Sequence, residues 1–340
     1  LEMEYKGFRY AGCEITDTEM EYIKNDVLVL KEALEMMYEK GHNKLTIGAC
    51  CLSDFKKNIP KDEYEVLFPD VSEMYLDQHT YGNTNVDEYI RQSYKGGWCY
   101  LVKGKENKIY HNGVTADVNS LYPSVMASCD GELLPFGRPV PFTGRPEPDE
   151  LYRLWIARIR CRFRVKPGHL PCIQLKGNLS FLPTEYIEDS GEEVYMTITS
   201  VDYELIRQQY DLEVTEWVDG FYFKASRTLF KGYVSKWLRI KTEATLEGNK
   251  GKRQIAKLMQ NALYGKFATR LEVRSRMPYL DEHGVVRYKD LTPEDKEGVY
   301  LPVGCFITAW ARYKTVRTAQ SLGDRFLYSD TDSVKVLGLE

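Results

Sequence analysis

Strict alternation of side-chain type over residues 155–165 places the firmest constraint on the fold of this 340-residue chain. Apolar side chains occupy every odd position from Trp155 to Val165, and arginines occupy four of the even positions between them. Successive side chains of a strand point to opposite faces of a sheet, so the pattern predicts a strand with one buried face. The other face is either solvent-exposed or lies along a phosphate backbone, and the alternation allows both interpretations. It carries Arg158, Arg160, Arg162 and Arg164.

The segment 224–276 is strongly basic, although the whole chain has a net charge of −4. It holds fourteen Lys and Arg residues against three Glu, a local net charge of +11. Its apolar spacing predicts two helices, over about 228–245 and 252–268, joined by a turn that contains Gly248 and Gly251. A helical hairpin with a basic face is typical of proteins that bind phosphates.

The N-terminal third shows a long helix followed by shorter elements. Thr16 or Asp17 can cap a helix whose apolar residues recur at helical spacing until Gly41 ends it. The region from Cys51 to about Gln92 has weaker periodicity and predicts a connecting region with short helices.

Composition excludes several classes of protein. Hydrophobic residues make up 43% and charged residues 28% of the chain, as in an ordinary globular protein. No segment has the roughly 18 uncharged apolar residues of a membrane span, so we expect no membrane partner. The eight cysteines form no Cys-x-x-Cys pair and are expected to be reduced, mostly buried thiols in a cytoplasmic location.

Three aspartates lie beside short apolar segments. Asp330 and Asp332 fall between two such segments, which predicts a β-hairpin with both carboxylates near its tip and on the same face. Adjacent carboxylates repel, so such a pair needs a shared cation or proton. Asp117 ends another apolar segment, and with Asp332 it fits the few carboxylates that Mg²⁺ takes beside phosphate oxygens. Alone, an Asp-x-Asp sequence also occurs in glycosyltransferase metal sites and in acidic surface turns.

One stripe of the second basic helix carries Arg253, Lys257, Asn261 and Tyr264 at helical spacing. The opposite, apolar face would carry Ile255, Leu258, Met259 and Ala262. The stripe is either a solvated face or a surface that binds a triphosphate and stacks on a base. Gly265 disfavours the solvated alternative, because glycine within a helix costs about 1 kcal/mol and suggests close approach of another group.

Four segments together resemble the motifs of family B DNA polymerases. Residues 117–124 (DVNSLYPS) resemble motif A, residues 257–265 (KLMQNALYG) motif B and residues 328–333 (YSDTDS) motif C, in the family's order. Residues 94–97 (YKGG) match the YxGG motif that precedes the palm. Residues 306–313 (FITAWARY) are most similar to the protein-primed bacteriophage branch.

The resemblance implies a role for each matching residue. Asp117 and Asp332 would hold two Mg²⁺ ions, with Mn²⁺ as an alternative metal, beside Asp330 and the carbonyl of Val118. The residues implied to bind the incoming dNTP are Leu121, Tyr122, Lys241, Arg253, Lys257, Asn261 and Tyr264, with Tyr122 under the sugar. The residues implied to contact primer-template DNA are Tyr94, Gly96, Gly97, Ser120, Thr331 and Ser333, of which the last three would touch the primer or a terminal priming protein.

The resemblance also implies an α+β fold with an antiparallel palm sheet, a two-helix fingers hairpin, insertions in the palm and a helical remnant of a 3′–5′ exonuclease domain. Tyr22 and Asp26 resemble the third exonuclease motif. The first two exonuclease motifs and the thumb are not recognised, so we expect a chain truncated at both ends. The implied divisions are 1–48 exonuclease remnant, 49–90 connection, 91–128 palm, 129–228 palm with a first insertion, 229–270 fingers, 271–299 second insertion and 300–340 palm.

In the second insertion, residues 278–280 and 299–301 would flank a polar turn as two strands. The implied function is DNA-directed DNA synthesis in the cytoplasm of a bacterial host, for a phage or mobile element. Two alternatives stay open. A metal-dependent glycosyltransferase would bind a nucleotide sugar and has no need of the basic hairpin. A non-catalytic DNA-binding fragment would bind primer-template with steep salt dependence and incorporate nothing.

Overall fold

The computed structural model describes residues 12, 14–77, 83–174, 186–296 and 298–338, which form an α+β fold as predicted. The helices are α1 Asp17–Glu39, α2 Ile47–Lys56, α3 Lys61–Leu67, α4 Val86–Arg91, α5 Leu121–Met126, α6 Ser200–Gln209, α7 Lys231–Leu246, α8 Lys250–Lys266 and α9 Leu301–Ser321. The strands are β1 Cys99–Leu101, β2 Gly113–Asp117, β3 Leu134–Thr143, β4 Leu154–Val165, β5 Val194–Thr199, β6 Tyr210–Ser226, β7 Glu272–Val273, β8 Arg276–Leu280, β9 Val286–Asp290, β10 Glu294–Asp295, β11 Phe326–Asp330 and β12 Ser333–Leu337.

A four-stranded antiparallel sheet in the order β1-β11-β12-β2 joins segments that are more than 200 residues apart in the chain. β11 and β12 form the predicted hairpin, in which Asp330 pairs with Ser333. Ser333 in turn pairs with Asp117 at the end of β2. This register places all three aspartates at the same end of the strands, on one side of the sheet's perimeter.

A second antiparallel sheet, in the order β3-β6-β4-β5, contains the strand predicted from the alternation. β4 buries its odd-numbered apolar side chains from Trp155 to Phe163, as predicted. In the β4–β6 register, each of its four arginines lies opposite an acidic residue. The pairs are Arg158 with Asp219, Arg160 with Glu216, Arg162 with Glu213 and Arg164 with Asp211.

Three of those arginines also form ion pairs, at 2.6–2.8 Å, with Asp219, Glu193 and Asp189. Opposite charges across a strand pair stabilise its register. The arginine face is therefore a neutralised protein surface, and this favours the solvated interpretation over a phosphate-binding row.

The basic segment forms the predicted helical hairpin. Gly248 adopts a φ of +68° in the turn, and the Asn249 side chain accepts a hydrogen bond from the N–H of Lys252 to begin α8. The buried stripe of α8 contains Ile255 and Met259 as predicted. Leu258 was expected on the same face but is 41% exposed. At 100° per residue the buried stripe continues to Leu263 instead, which leaves Leu258 on the shoulder of the helix.

The N-terminal segment forms the predicted long helix. Thr16 caps α1, and the Thr16 and Glu19 side chains form a reciprocal capping box. Within α1 only Met37 is buried. The expected short helices of the connecting region are α2, α3 and α4.

Residues 299–301 do not form the strand predicted there. The partner of β8 is β9, and Leu301 begins α9. Proline at the start of α9 explains the difference, because a proline ring fixes a helical φ where no N–H is needed. α9 is buried along most of its length. It packs against both the YKGG segment and the β1-β11-β12-β2 sheet, which corresponds to the palm sheet. No helix among the described residues is both long and apolar enough to cross a bilayer.

Candidate active site

Asp117 and Asp332 form the centre of the site. Asp117 is the last residue of β2, and the backbone N–H of Val118 donates a 2.8 Å hydrogen bond to the carbonyl of Asp332. Burial is the largest cause that raises the pKa of the Asp332 carboxyl, and the negative charge of Asp117 raises it further. A carboxylate whose charge is disfavoured by burial and by a neighbouring carboxylate is one that a divalent cation stabilises.

Asp330 lies to the side of this pair. Asp330 ends β11, whereas Asp332 lies in the two-residue turn after it. Strand alternation was predicted to place both carboxylates on one face, but the two residues do not belong to one strand. One Asp330 carboxylate oxygen accepts a 3.2 Å hydrogen bond from the Cys99 thiol. In the described part of the chain, no group of three or more His, Cys, Asp or Glu side chains meets in metal-binding geometry. The structure thus offers a carboxylate pair, Asp117 and Asp332, to which Asp330 adds a weaker electrostatic contribution.

The turn that carries Asp332 is held from two sides. Its first residue, Thr331, has a φ of +57°, which non-glycine residues rarely adopt. The Thr331 N–H donates to the Trp98 carbonyl at 3.0 Å, and the Thr331 carbonyl accepts from the Thr315 hydroxyl of α9 at 2.9 Å. Gly97 packs so closely on Thr331 that a Cβ atom there would lie 2.6 Å from its hydroxyl oxygen. The YKGG segment and the turn that carries Asp332 therefore support each other.

Arg312 of α9 is a structural residue of the site that our sequence analysis did not identify. Its guanidinium forms a buried bidentate ion pair with Asp202 of α6, with the closest contact at 2.7 Å. Its remaining nitrogen donates to the carbonyls of Lys95 and Gly96 at 2.6 and 2.8 Å. The available signal was an arginine directly after the largely apolar residues 301–311 of α9, since a buried arginine almost always has partners.

Three cations of the fingers hairpin form a cluster, and one of them, Lys257, lies near Asp332. Burial, followed by the positive charges of Arg253 and Lys257, lowers the pKa of the Lys241 ammonium. The Lys241 ammonium lies 3.4 Å from the Ser120 hydroxyl, and Lys257 is close enough to Asp332 to lower its pKa. Among the described residues none of these three cations forms an ion pair. Mutually repelling cations without a carboxylate partner are a ready site for a polyanion.

Aromatic and amide groups complete the site above the cations. The rings of Tyr122 and Tyr264 stack at 4.0 Å between centroids and 22° between planes. Burial, and then the neighbouring Tyr264, raise the pKa of Tyr122. The side-chain oxygen of Asn261 is buried without a hydrogen-bond partner among the described residues. This amide is thus available to a ligand.

The remaining predicted residues occupy varied positions. Tyr94 is half-buried near Tyr264 and Arg312, and the Ser333 hydroxyl donates to the Asp330 carbonyl. Leu121 is fully buried, so only its backbone can reach a nucleotide. The Ser120 hydroxyl lies between Lys241 and Gln260 of the fingers, at 3.4 Å from each. Ser120 therefore contacts the cation cluster and lies on the side of the fingers.

Tyr22 and Asp26 lie on α1, one turn apart, with Tyr22 partly buried and Asp26 exposed. No described contact connects them to the aspartate and cation cluster.

Over residues 2–337 the chain matches the family described as DNA polymerase type B, organellar and viral. The chain belongs to this family. It is 41% identical over 340 residues to the DNA polymerase of Bacillus phage Nf and 40% identical to that of Bacillus phage phi29. In both cases the match covers all of this chain and 56% of the relative, so the chain spans about half the length of these relatives.

Solved structures give the same relationship. The fold matches Phi29 DNA polymerase with a TM-score of 0.83 at 38% identity, over 100% of this chain and 56% of that chain. It matches Phi29 DNA polymerase complexed with primer-template DNA with a TM-score of 0.82 at 39% identity and the same coverage. The predicted palm and fingers architecture is thereby confirmed, and the comparisons give no support to a glycosyltransferase.

Proposed function

We propose that this chain carries the palm and fingers of a DNA-directed DNA polymerase, in which template-directed nucleotidyl transfer joins a dNTP to a primer 3′-hydroxyl. The observation that carries the proposal is the Asp117–Asp332 pair with Lys257 beside it. Lys257 forms one cluster with Lys241 and Arg253, and none of the three makes an ion pair among the described residues. A carboxylate pair for metal ions and a cluster of cations for phosphates are the two parts that phosphoryl transfer requires.

The donor set fits divalent metal ions. Asp117, Asp332 and the carbonyl of Val118 offer hard oxygen ligands close to one another. Burial, and then the charge of Asp117, raise the pKa of Asp332, and a cation would stabilise the carboxylate against both. These residues would hold two Mg²⁺ ions, or Mn²⁺, with Asp330 beside them. When bound, such ions activate the attacking hydroxyl and neutralise charge on the leaving group.

The remaining groups of the site bind and orient the substrates. Lys257, Arg253 and Lys241 bind the triphosphate through charge-assisted hydrogen bonds. Tyr122 supports the sugar, and Asn261 and Tyr264 contact the nascent base pair, for which the unpartnered Asn261 oxygen and the stacked rings provide the means. The backbone of Leu121 belongs to the same nucleotide site.

Primer-template DNA lies across the edge of the palm sheet in this proposal. Tyr94, Gly96 and Gly97 contact the template, and Gly96 leaves open space where a side chain would otherwise project. Thr331 and Ser333 face the primer terminus, which can belong to DNA or to a terminal priming protein, and Ser120 reaches it less directly. One related solved structure is Phi29 DNA polymerase complexed with primer-template DNA and incoming nucleotide substrates.

The wider assignments are proposals on the same basis. The domain boundaries are those predicted from the sequence, with the sheet of β3–β6 in the first insertion and the β8–β9 hairpin in the second. Tyr22 and Asp26 belong to the exonuclease remnant. The chain acts in the cytoplasm of a bacterial host, as its phage relatives suggest.

The test is primer extension by the purified chain on a short DNA primer-template with Mg²⁺ and dNTPs. We expect Asp332→Ala to reduce extension by at least about 100-fold, because it removes a metal ligand. Asp324→Ala is the matched control, since Asp324 is exposed just before β11 and should leave extension unchanged. Salt-sensitive DNA binding without extension would favour the non-catalytic DNA-binding alternative, and neither binding nor extension would refute the proposal.

A further inference from the structure

A groove of about 720 Å³ opens between α5 of the palm and α7 of the fingers, beside the triphosphate-binding cations. Lys241 and Arg253 lie at its inner end, and Lys231, at the first position of α7, also lines it. Lys231 and Lys241 are ten residues apart, about 15 Å along the helix axis. The groove therefore extends from the proposed triphosphate site toward the start of α7.

The charge of the groove is entirely positive. Its lining contains three cations and no Asp or Glu side chain. In the described part of the chain Lys231, Lys241 and Arg253 make no ion pair, whereas Lys236 and Arg239 on the same helix are paired with acidic residues. Cations collected in a concave surface, away from carboxylates, raise the local concentration of anions.

Besides the three cations, the lining consists of hydroxyl, amide and apolar side chains. Six hydroxyl side chains contribute to it, and three of them donate to backbone carbonyls of their own helices. The Ser128 oxygen is different, because it is buried and has no hydrogen-bond partner among the described residues. A buried hydroxyl without a partner is costly unless a ligand or water satisfies it. The six are Ser120, Ser124, Ser128, Ser235, Thr242 and Thr245.

We propose that this groove binds inorganic pyrophosphate and is the path by which pyrophosphate leaves after nucleotidyl transfer. The proposal rests on the proposed function, which generates pyrophosphate at the inner end of the groove. Pyrophosphate is small, carries several negative charges and, unlike a bound dNTP, is not held by a base or a sugar. Lys231 and the Ser128 hydroxyl then offer it contacts that the attached nucleotide does not use.

The first experiment measures pyrophosphate binding directly, by isothermal titration calorimetry with the full chain and sodium pyrophosphate. We expect Lys231→Met to weaken binding about three- to tenfold, the scale of one charge-assisted contact at a partly exposed site. Ser128→Gly should weaken binding about threefold, and glycine is the suitable replacement because Ser128 has a φ of +55°. Arg239→Met is the matched control, since Arg239 lies on the same helix but outside the groove.

The second experiment separates product from substrate. In primer extension with added pyrophosphate, Lys231→Met should raise the inhibition constant for pyrophosphate by a similar factor and leave the KM for dNTP unchanged. An equal rise in both constants would overturn the exit assignment and make the groove part of the nucleotide site. Pyrophosphate binding that is the same in Lys231→Met, Arg239→Met and the wild type would overturn the proposal entirely.

These results distinguish the groove from the proposed function. Lys231-dependent pyrophosphate binding by a chain that extends no primer would support the groove as a pyrophosphate site and count against catalysis by this chain. Primer extension together with Lys231-independent pyrophosphate binding would support the function and refute the groove.

Discussion

The close approach of Gly97 to the turn of Thr331 and Asp332 gives the sharpest test of how this fold positions Asp332. A Cβ atom on Gly97 would lie 2.6 Å from Oγ1 and 2.7 Å from Cγ2 of Thr331. Ordinary van der Waals contact begins near 3.4 Å, so Gly97→Ala forces a retreat of about 0.8 Å. The turn cannot retreat freely, because hydrogen bonds to Trp98 and Thr315 hold the Thr331 N–H and carbonyl.

The expected effects follow from that displacement. Overpacking of this kind costs about 1–3 kcal/mol in the free energy of unfolding. A displacement approaching 1 Å at a reacting centre lowers a rate by up to about 100-fold, and Asp332 follows Thr331 directly. We therefore expect Gly97→Ala to lower the urea midpoint and to slow single-turnover primer extension by about 10- to 100-fold.

Two further variants make the test specific. Gly96→Ala is the matched control, because a Cβ atom on Gly96 would meet nothing within 4 Å and stability should not change. Thr331→Gly removes the obstructing side chain and suits the φ of +57°, so the double variant with Gly97→Ala should regain most of the lost stability. Equal stability of Gly97→Ala and Gly96→Ala would refute the reasoning. A double variant whose loss of stability equals the sum of the losses in Gly97→Ala and Thr331→Gly would refute it as well.

Three other predictions concern buried or crowded groups. Arg312→Met leaves the buried Asp202 carboxylate unpaired and should cost about 3–5 kcal/mol in urea unfolding, part of which the double variant with Asp202→Leu recovers. Because its pKa is lowered, the Lys241 ammonium loses its proton at a lower pH than an ordinary lysine does. The KM for dNTP, measured as a function of pH, should therefore rise at alkaline pH. Lys241→Arg should remove that rise, because arginine stays protonated. Iodoacetamide at pH 8 should label the exposed Cys129 rapidly, whereas Cys51, whose pKa burial raises to about 11, should react only on unfolding, as peptide mass spectrometry would show.

Local periodicity predicted the elements whose environment is uniform along their length. β4 follows the alternation of 155–165 because one of its faces meets a core throughout, and the basic hairpin follows helical spacing for the same reason. Prediction was wrong at 299–301, where a proline and the burial of α9 outweigh β-propensity. It was also wrong for Leu258, since helical spacing gives the width of a buried stripe only to within one residue.

The site was predictable to the extent that its residues lie in short motifs. The adjacency of Asp117 and Asp332 depends on β12 pairing with both β11 and β2, a long-range register that no local pattern encodes. The same limit applies to Arg312, which acts on Lys95 and Gly96 from more than 200 residues away. The family resemblance implied that Asp117 and Asp332 lie together, whereas the contacts of Arg312 with Lys95 and Gly96 became apparent only from the structure.

Two residues of the site with a strained backbone, Ser120 and Thr331, also carry hydroxyl groups. Ser120 and Thr331 lie close in sequence to Asp117 and Asp332, and both adopt a positive φ that glycine would accept at lower cost. Glycine at either position would also remove the hydroxyl. The Ser120 hydroxyl lies 3.4 Å from the Lys241 ammonium, and the Thr331 hydroxyl lies 3.5 Å from an Asp330 carboxylate oxygen. Each strained residue thus places a neutral polar group beside a charge whose proposed partner is a substrate or a metal ion.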